Sequence, residues 1–80
     1  MLQEEELRTT IANCCGISLE ECQPAASIYE LGIDSIGLAS LISHCEMQLE
    51  VELDDQVIVE LMSAQTIGQI IGLLQSHIRN

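Results

Sequence analysis

The sequence predicts an all-α fold, a small bundle of three longer helices and one short one. Three apolar stripes carry that expectation. Ile67, Ile70, Ile71, Leu74 and Ile78 recur at i, i+3, i+4, i+7 and i+11, the spacing of one buried helix face. Leu38, Leu41, Ile42, Cys45 and Leu49 form a second stripe, and Leu7, Ile11 and Cys14 or Cys15 a third. Eighty residues leave room for one domain, spanning residues 1–80.

The first helix is expected from about Leu2 to Cys15. Glu4, Glu5 and Glu6 lie in its first turn, where negative charge suits the helix dipole, and Gly16 is a natural residue just past its end. A connection from Ile17 to Asp34 follows, carrying Pro24 and Gly32 and no clear period. Its apolar residues Ile17, Leu19, Cys22, Ile28 and Leu31 are expected to pin it to the core, and so long a loop in so small a domain points to function. The second helix is expected from Ser35 to Leu49, with Asp34 as its N-cap.

The acidic stretch Glu50 to Asp55 alternates with Val51 and Leu53, a strand-like pattern. A single strand would have no partner, so the segment reads as a loop entering a short helix from about Asp55 to Leu61. Thr66 and Gln69 make a capping box at the start of the last helix, and His77 and Arg79 place positive charge at its end.

Composition narrows the function classes. Two Arg, no Lys and thirteen acids give a formal charge of −11. Such a surface repels phosphate backbones and anionic lipid, which argues against nucleic-acid or membrane binding, and it attracts basic proteins. The apolar fraction of 48% is too high for a disordered acidic tail, yet there is no Phe, no Trp and one Tyr. The expected core is aliphatic and the expected state a monomer. The N-terminus has no basic and apolar leader pattern, which points to the cytoplasm. Cys14, Cys15, Cys22 and Cys45 lack paired zinc-ligand spacing, so no metal site is expected. They read as reduced structural thiols, with Cys15 and Cys45 inward and Cys14 the more exposed.

No enzyme is legible. Ser35, His44 and Asp34 are the residue types of a triad, but His44 follows Ser35 by nine residues on one helix, beyond hydrogen-bond reach. No glycine-rich phosphate loop occurs.

One segment stands apart: Leu31-Gly32-Ile33-Asp34-Ser35-Ile36. Gly32 permits a tight turn, Asp34 caps the helix, and Ser35 falls in the first turn, where free N–H groups and the dipole favour an attached phosphate. On these residues alone the plainer reading is an ordinary capped helix start. Leu-Gly-Ile-Asp-Ser-Ile followed by an amphipathic helix nevertheless resembles the phosphopantetheine attachment motif of acyl and peptidyl carrier proteins, usually Leu-Gly-x-Asp-Ser-Leu. The resemblance extends over the helix order of nearly the whole chain.

It implies an acyl-carrier-protein-like fold and a non-enzymatic acyl carrier. Ser35 would bear a covalent 4′-phosphopantetheine drawn from coenzyme A by a phosphopantetheinyl transferase, whose own metal ion Asp34 would help to organise. Acyl or aminoacyl groups would ride on the arm as thioesters. The other implied partners are an acyl- or aminoacyl-loading enzyme and synthase or condensing enzymes, meeting Ile36, Ala39, Ser40, Ser43 and Glu46. The chain departs from the fatty-acid type in one respect: from Ser35 to Glu50 only Glu46 and Glu50 are acidic. Carriers of fatty-acid-like, polyketide or other specialised pathways fit, as does an aminoacyl or peptidyl carrier of a nonribosomal pathway. An unmodified acidic helical interaction module is the alternative outside the carrier class.

Overall fold

The computed structural model describes residues 3–50 and 52–77. Four helices make up its regular structure: α1 Glu4–Cys15, α2 Ser35–Leu49, α3 Asp55–Met62 and α4 Ile67–His77. α1 packs chiefly on α2, and α3 on α4. Leu2, Val51, Ile78 and Arg79, which figured in the expected elements, lie outside the described residues.

Local chemistry sets each boundary. α1 starts at Glu4, later than expected, with extended Gln3 before it and no side-chain cap. Gly16 adopts φ 71° and ends the helix, its N–H and that of Ile17 both donating to the Ala12 carbonyl. Asp34 and Asp54 cap α2 and α3 alike, each accepting at 3.0 Å from an N–H three residues on, Gly37 and Val57 respectively. α3 runs one residue past the expected Leu61. At α4 the capping box forms in full: the Gln69 N–H donates to Thr66 Oγ1, and Gln69 Oε1 accepts from the Thr66 and Gln65 N–H groups.

The core is one aliphatic cluster. Leu7, Ile11, Leu38, Leu41, Ile42, Ile67, Ile70, Ile71 and Leu74 are all buried in it. Leu49, expected among them, is only half-buried, because it is the last residue of α2 and its end of the helix is incompletely covered. Val57 and Leu61 of α3 and Leu53 of the acidic linker take places there instead.

The connection between α1 and α2 is held at two points. Arg8 of α1 donates through Nε to the Cys22 carbonyl at 2.7 Å and through a terminal nitrogen to the Leu19 carbonyl at 3.1 Å. The buried Cys22 thiol in turn faces the Arg8 carbonyl. This clamp fixes the turn by its backbone and leaves the Leu19 side chain exposed, contrary to its expected burial. Further on, the chain pairs with the entry to α4: Ile28 N–H to the Gln65 carbonyl, Ile67 N–H to Ala26 and Gly68 N–H to Pro24. The result is an isolated antiparallel bridge between Ser27 and Thr66. Ile28 is buried beneath it, and Gly32, at φ 76°, then turns the chain into Asp34.

Gly68 makes that seam possible. A Cβ there would stand 3.0 Å from the Pro24 carbonyl oxygen and 3.4 Å from its Cβ. Gly68→Ala is therefore expected to destabilise by about 1–3 kcal/mol, overriding the roughly 1 kcal/mol that alanine gains in a helix. Gly72, on the same helix, has nothing within 4 Å of such a Cβ. Gly72→Ala should stabilise by up to about 1 kcal/mol. Urea unfolding of the pair gives both signs, and equal shifts would show that the seam tolerates a side chain.

Candidate functional site

Ser35 is the first residue of α2 and is exposed. The two preceding turns bring it there: Leu31 N–H bonds the Ser27 carbonyl, Ile33 N–H the Ile28 carbonyl, and Gly32 supplies the positive φ between them. Because Ser27 and Ile28 pair with Thr66 and Gln65 at the entry to α4, the hydroxyl sits on an anchored pivot. The Asp34 carboxylate engages Gly37 N–H, and the Asp34 carbonyl accepts Leu38 N–H. Helix geometry leaves the N–H groups of Ser35 and Ile36 as the unused first-turn donors. That corner, an exposed hydroxyl beside two free N–H groups and the positive dipole end, suits a phosphodiester on Ser35.

Two grooves flank the serine. One, of about 500 Å³, runs past Tyr29, Ile33 and Leu38 to Met62 and Gln65. The other, of about 700 Å³, is lined by Ser35, Ile36, Ala39, Ser40, Ser43 and Met62. Ile36, Ala39, Ser40 and Ser43 are thus brought together with Ser35. Glu46 is not: it is half-buried, and its Oε2 accepts the Leu53 N–H at 3.0 Å, bracing the acidic linker. Met62 and Tyr29 were not singled out in the sequence. Met62 had one signal, an apolar residue off the Val57–Leu61 buried stripe of α3.

Ser35, His44 and Asp34 do not form a triad. His44 is exposed nine residues along α2 from Ser35, about 13 Å by helical rise, and His77 lines a different groove between α3 and α4. Among the described residues no group of His, Cys, Asp or Glu is placed to hold a metal ion. No described helix is long and apolar enough to cross a membrane.

The cysteines are free. Cys22 and Cys45 are buried, and Cys14 and Cys15 are half-buried. Cys15 lies under the start of α2, its sulfur 3.6 Å from where a Gly37 Cβ would be. Burial, helped by the neighbouring Cys14, Cys22 and Asp34, pushes its thiol up to about 11. Burial, with Cys14 and Glu46, does the same for Cys45, to about 11. Burial also raises Cys14, and raises Cys22 against the pull of Arg8. A thiol whose folded pKa exceeds its unfolded value favours the fold fully below the unfolded value and loses that contribution as pH rises through the folded one. Stability is therefore expected to fall between the ordinary 9.0 and about 11. At neutral pH a thiol reagent should label the native chain far more slowly than the urea-unfolded chain. Equal labelling rates would contradict the burial described.

The family described as "Phosphopantetheine attachment site" matches residues 5–74. An acyl carrier protein of Nitratidesulfovibrio vulgaris strain DP4 is 43% identical over 56 residues, which cover 69% of this chain and 74% of that protein. The acyl carrier protein of the Miyazaki F strain is 36% identical over 66 residues, 81% of this chain and 87% of the relative. The chain belongs to the phosphopantetheine-binding acyl carrier protein family, whose members are carriers rather than enzymes and whose cofactor is covalent 4′-phosphopantetheine.

Proposed function

We propose that Ser35 bears the 4′-phosphopantetheine arm and that the chain passes acyl or aminoacyl groups, as thioesters, between the enzymes of a specialised pathway. One observation carries the assignment to Ser35: its hydroxyl is exposed on the first turn of a capped helix whose approach is pinned to α4. The arm supplies the thiol. This chain's residues supply an anchored pivot, free backbone N–H groups toward the phosphate, and a surface for the enzymes that act there.

The partners that follow are a phosphopantetheinyl transferase, a loading enzyme for acyl or aminoacyl groups, and synthase or condensing enzymes. The uncharged outer face of α2 supports a polyketide, peptide or other specialised setting over primary fatty-acid synthesis, where a string of acids on that helix is usual. Four free thiols support work in a reducing compartment such as the cytoplasm. The test is intact-mass measurement after incubation with coenzyme A and a broad-specificity transferase. A gain of one arm is expected, whereas an unmodified interaction module gains none.

A further inference from the structure

The glycines differ in what their positions demand. Gly16 and Gly32 take positive φ, 71° and 76°. Gly68 has the Pro24 carbonyl oxygen 3.0 Å from where a Cβ would be. Gly37 and Gly72 lie inside helices and meet neither demand. At Gly72 a Cβ would meet nothing within 4 Å. At Gly37 it would meet Cys15 Sγ at 3.6 Å, and Asp34 Oδ1 and Cys15 Cα at 3.7 Å, all ordinary van der Waals contacts. Alanine would therefore fit at position 37, its methyl toward α1, and glycine there weakens the helix with no steric reason.

Gly37 stands two residues after Ser35. Ser35 is exposed, Ile36 is 75% exposed, and Gly37 has no side chain. The first side chain of α2 to enter the core is Leu38, which is 5% exposed. The cap holds this turn through Gly37 N–H to the Asp34 carboxylate at 3.0 Å and Leu38 N–H to the Asp34 carbonyl at 3.1 Å. Unwinding it gives up hydrogen bonds of an exposed helix end, which water replaces, and no buried side chain. The approach is tied at Ile28 on one side and Leu38 is buried on the other, so such an opening is confined to the turn at residues 35–37.

We propose that Gly37 is a positioning residue for loading: it leaves the turn unpinned from α1, so that the turn opens and the Ser35 oxygen aligns with coenzyme A inside the transferase. Loading joins Ser35 Oγ to the phosphorus that bears the pantetheine, expels the adenosine bisphosphate of coenzyme A and releases the hydroxyl proton. The attacking and leaving oxygens must stand in line across that phosphorus, and a yielding turn reaches this geometry after docking. A methyl at position 37 opposes the opening twice, by stiffening the backbone and by packing on Cys15. The inference rests on the reading of Ser35 given above.

The experiment compares Gly37→Ala with Gly72→Ala in the full chain. It measures urea stability, amide hydrogen exchange, and steady-state loading by a broad-specificity phosphopantetheinyl transferase with coenzyme A. Both variants should be more stable than the wild type. Gly37→Ala should raise the protection of the amides at positions 37 and 38 about fivefold, the factor that alanine's helix preference over glycine represents. It should lower kcat about as much and leave the KM for the chain unchanged. Gly72→Ala should load like the wild type. A stabilised Gly37→Ala loaded at the wild-type kcat would overturn the proposal. So would wild-type amides at Gly37 and Leu38 as protected as those of Leu41 and Ile42, because the turn would then not open. A destabilised Gly37→Ala would show that the methyl has no room, and a loss of kcat shared by Gly72→Ala would show that stability at large sets the rate; either sinks the role of Gly37. Amide exchange needs no arm and reads the opening by itself. A wild type that no transferase loads sinks the carrier reading and the role of Gly37 with it, whereas a wild type loaded on Ser35 with a rigid turn sinks the role of Gly37 alone.

Discussion

Ser35→Ala is expected to remain folded and to gain no arm under conditions that convert the wild type completely. The side chain is exposed, and Asp34 still caps α2 through the Gly37 N–H. The change in stability should stay within about 0.5 kcal/mol, as for surface substitutions generally. The loss of loading should be total, because the phosphodiester needs a hydroxyl oxygen and alanine has none. Ser40 and Ser43 line the same groove, so they are the rivals to exclude. Mass spectrometry of the variant, followed by peptide mapping of the wild type, separates the three. An arm on Ser35→Ala would show that the assignment is wrong. Asp34→Ala makes an instructive contrast, because it should cost about 0.5–2 kcal/mol of helix stability through the lost cap.

The largest effect on the fold is expected at Leu41. Its side chain is 1% exposed, in the middle of α2 and within the single core cluster. Leu41→Ala should cost about 2–5 kcal/mol, through lost burial and the cavity left behind. A chain of this length has a total stability on the order of 4–12 kcal/mol, so much of the population can unfold. Leu49→Ala, at the half-buried end of the same helix, should cost distinctly less. Denaturant midpoints at constant slope give the comparison. Equal costs at the two positions would mean that the core extends past the end of α2.

Much of this is legible in the sequence. The three longer stripes, the Asp34 cap and the Thr66–Gln69 box are written in residues three or four apart, and local hydrogen bonds and helical period suffice to read them. The Asp34–Ser35 helix start was readable for the same reason. What stayed hidden joins distant parts of the chain. The Arg8 clamp and the seam between Pro24–Ile28 and Gln65–Gly68 end on backbone carbonyls, which every residue possesses and no motif announces. Gly68 looked like any helical glycine, because its reason for being glycine is a carbonyl more than forty residues away. Glu46 looked like a free surface acid, and only the fold shows that its carboxylate is occupied by Leu53. Met62 joins the site because α3 lies beside α2, a tertiary fact.

The late-ionising thiols carry a chemical consequence for the thioester carrier proposed above. A thioester is exchanged by thiolate, not by thiol, and a swinging arm brings its cargo near its own protein at high local concentration. At pH 7 a thiol of pKa 9 is ionised about one part in a hundred, and one of pKa 11 about one part in ten thousand. Cys15 and Cys45, both pushed up to about 11, therefore hold less thiolate at neutral pH than ordinary cysteines would and are poorer acceptors of a thioester's acyl group. The packing that builds an aromatic-free core thus also slows the transfer of such cargo to the chain's own thiols.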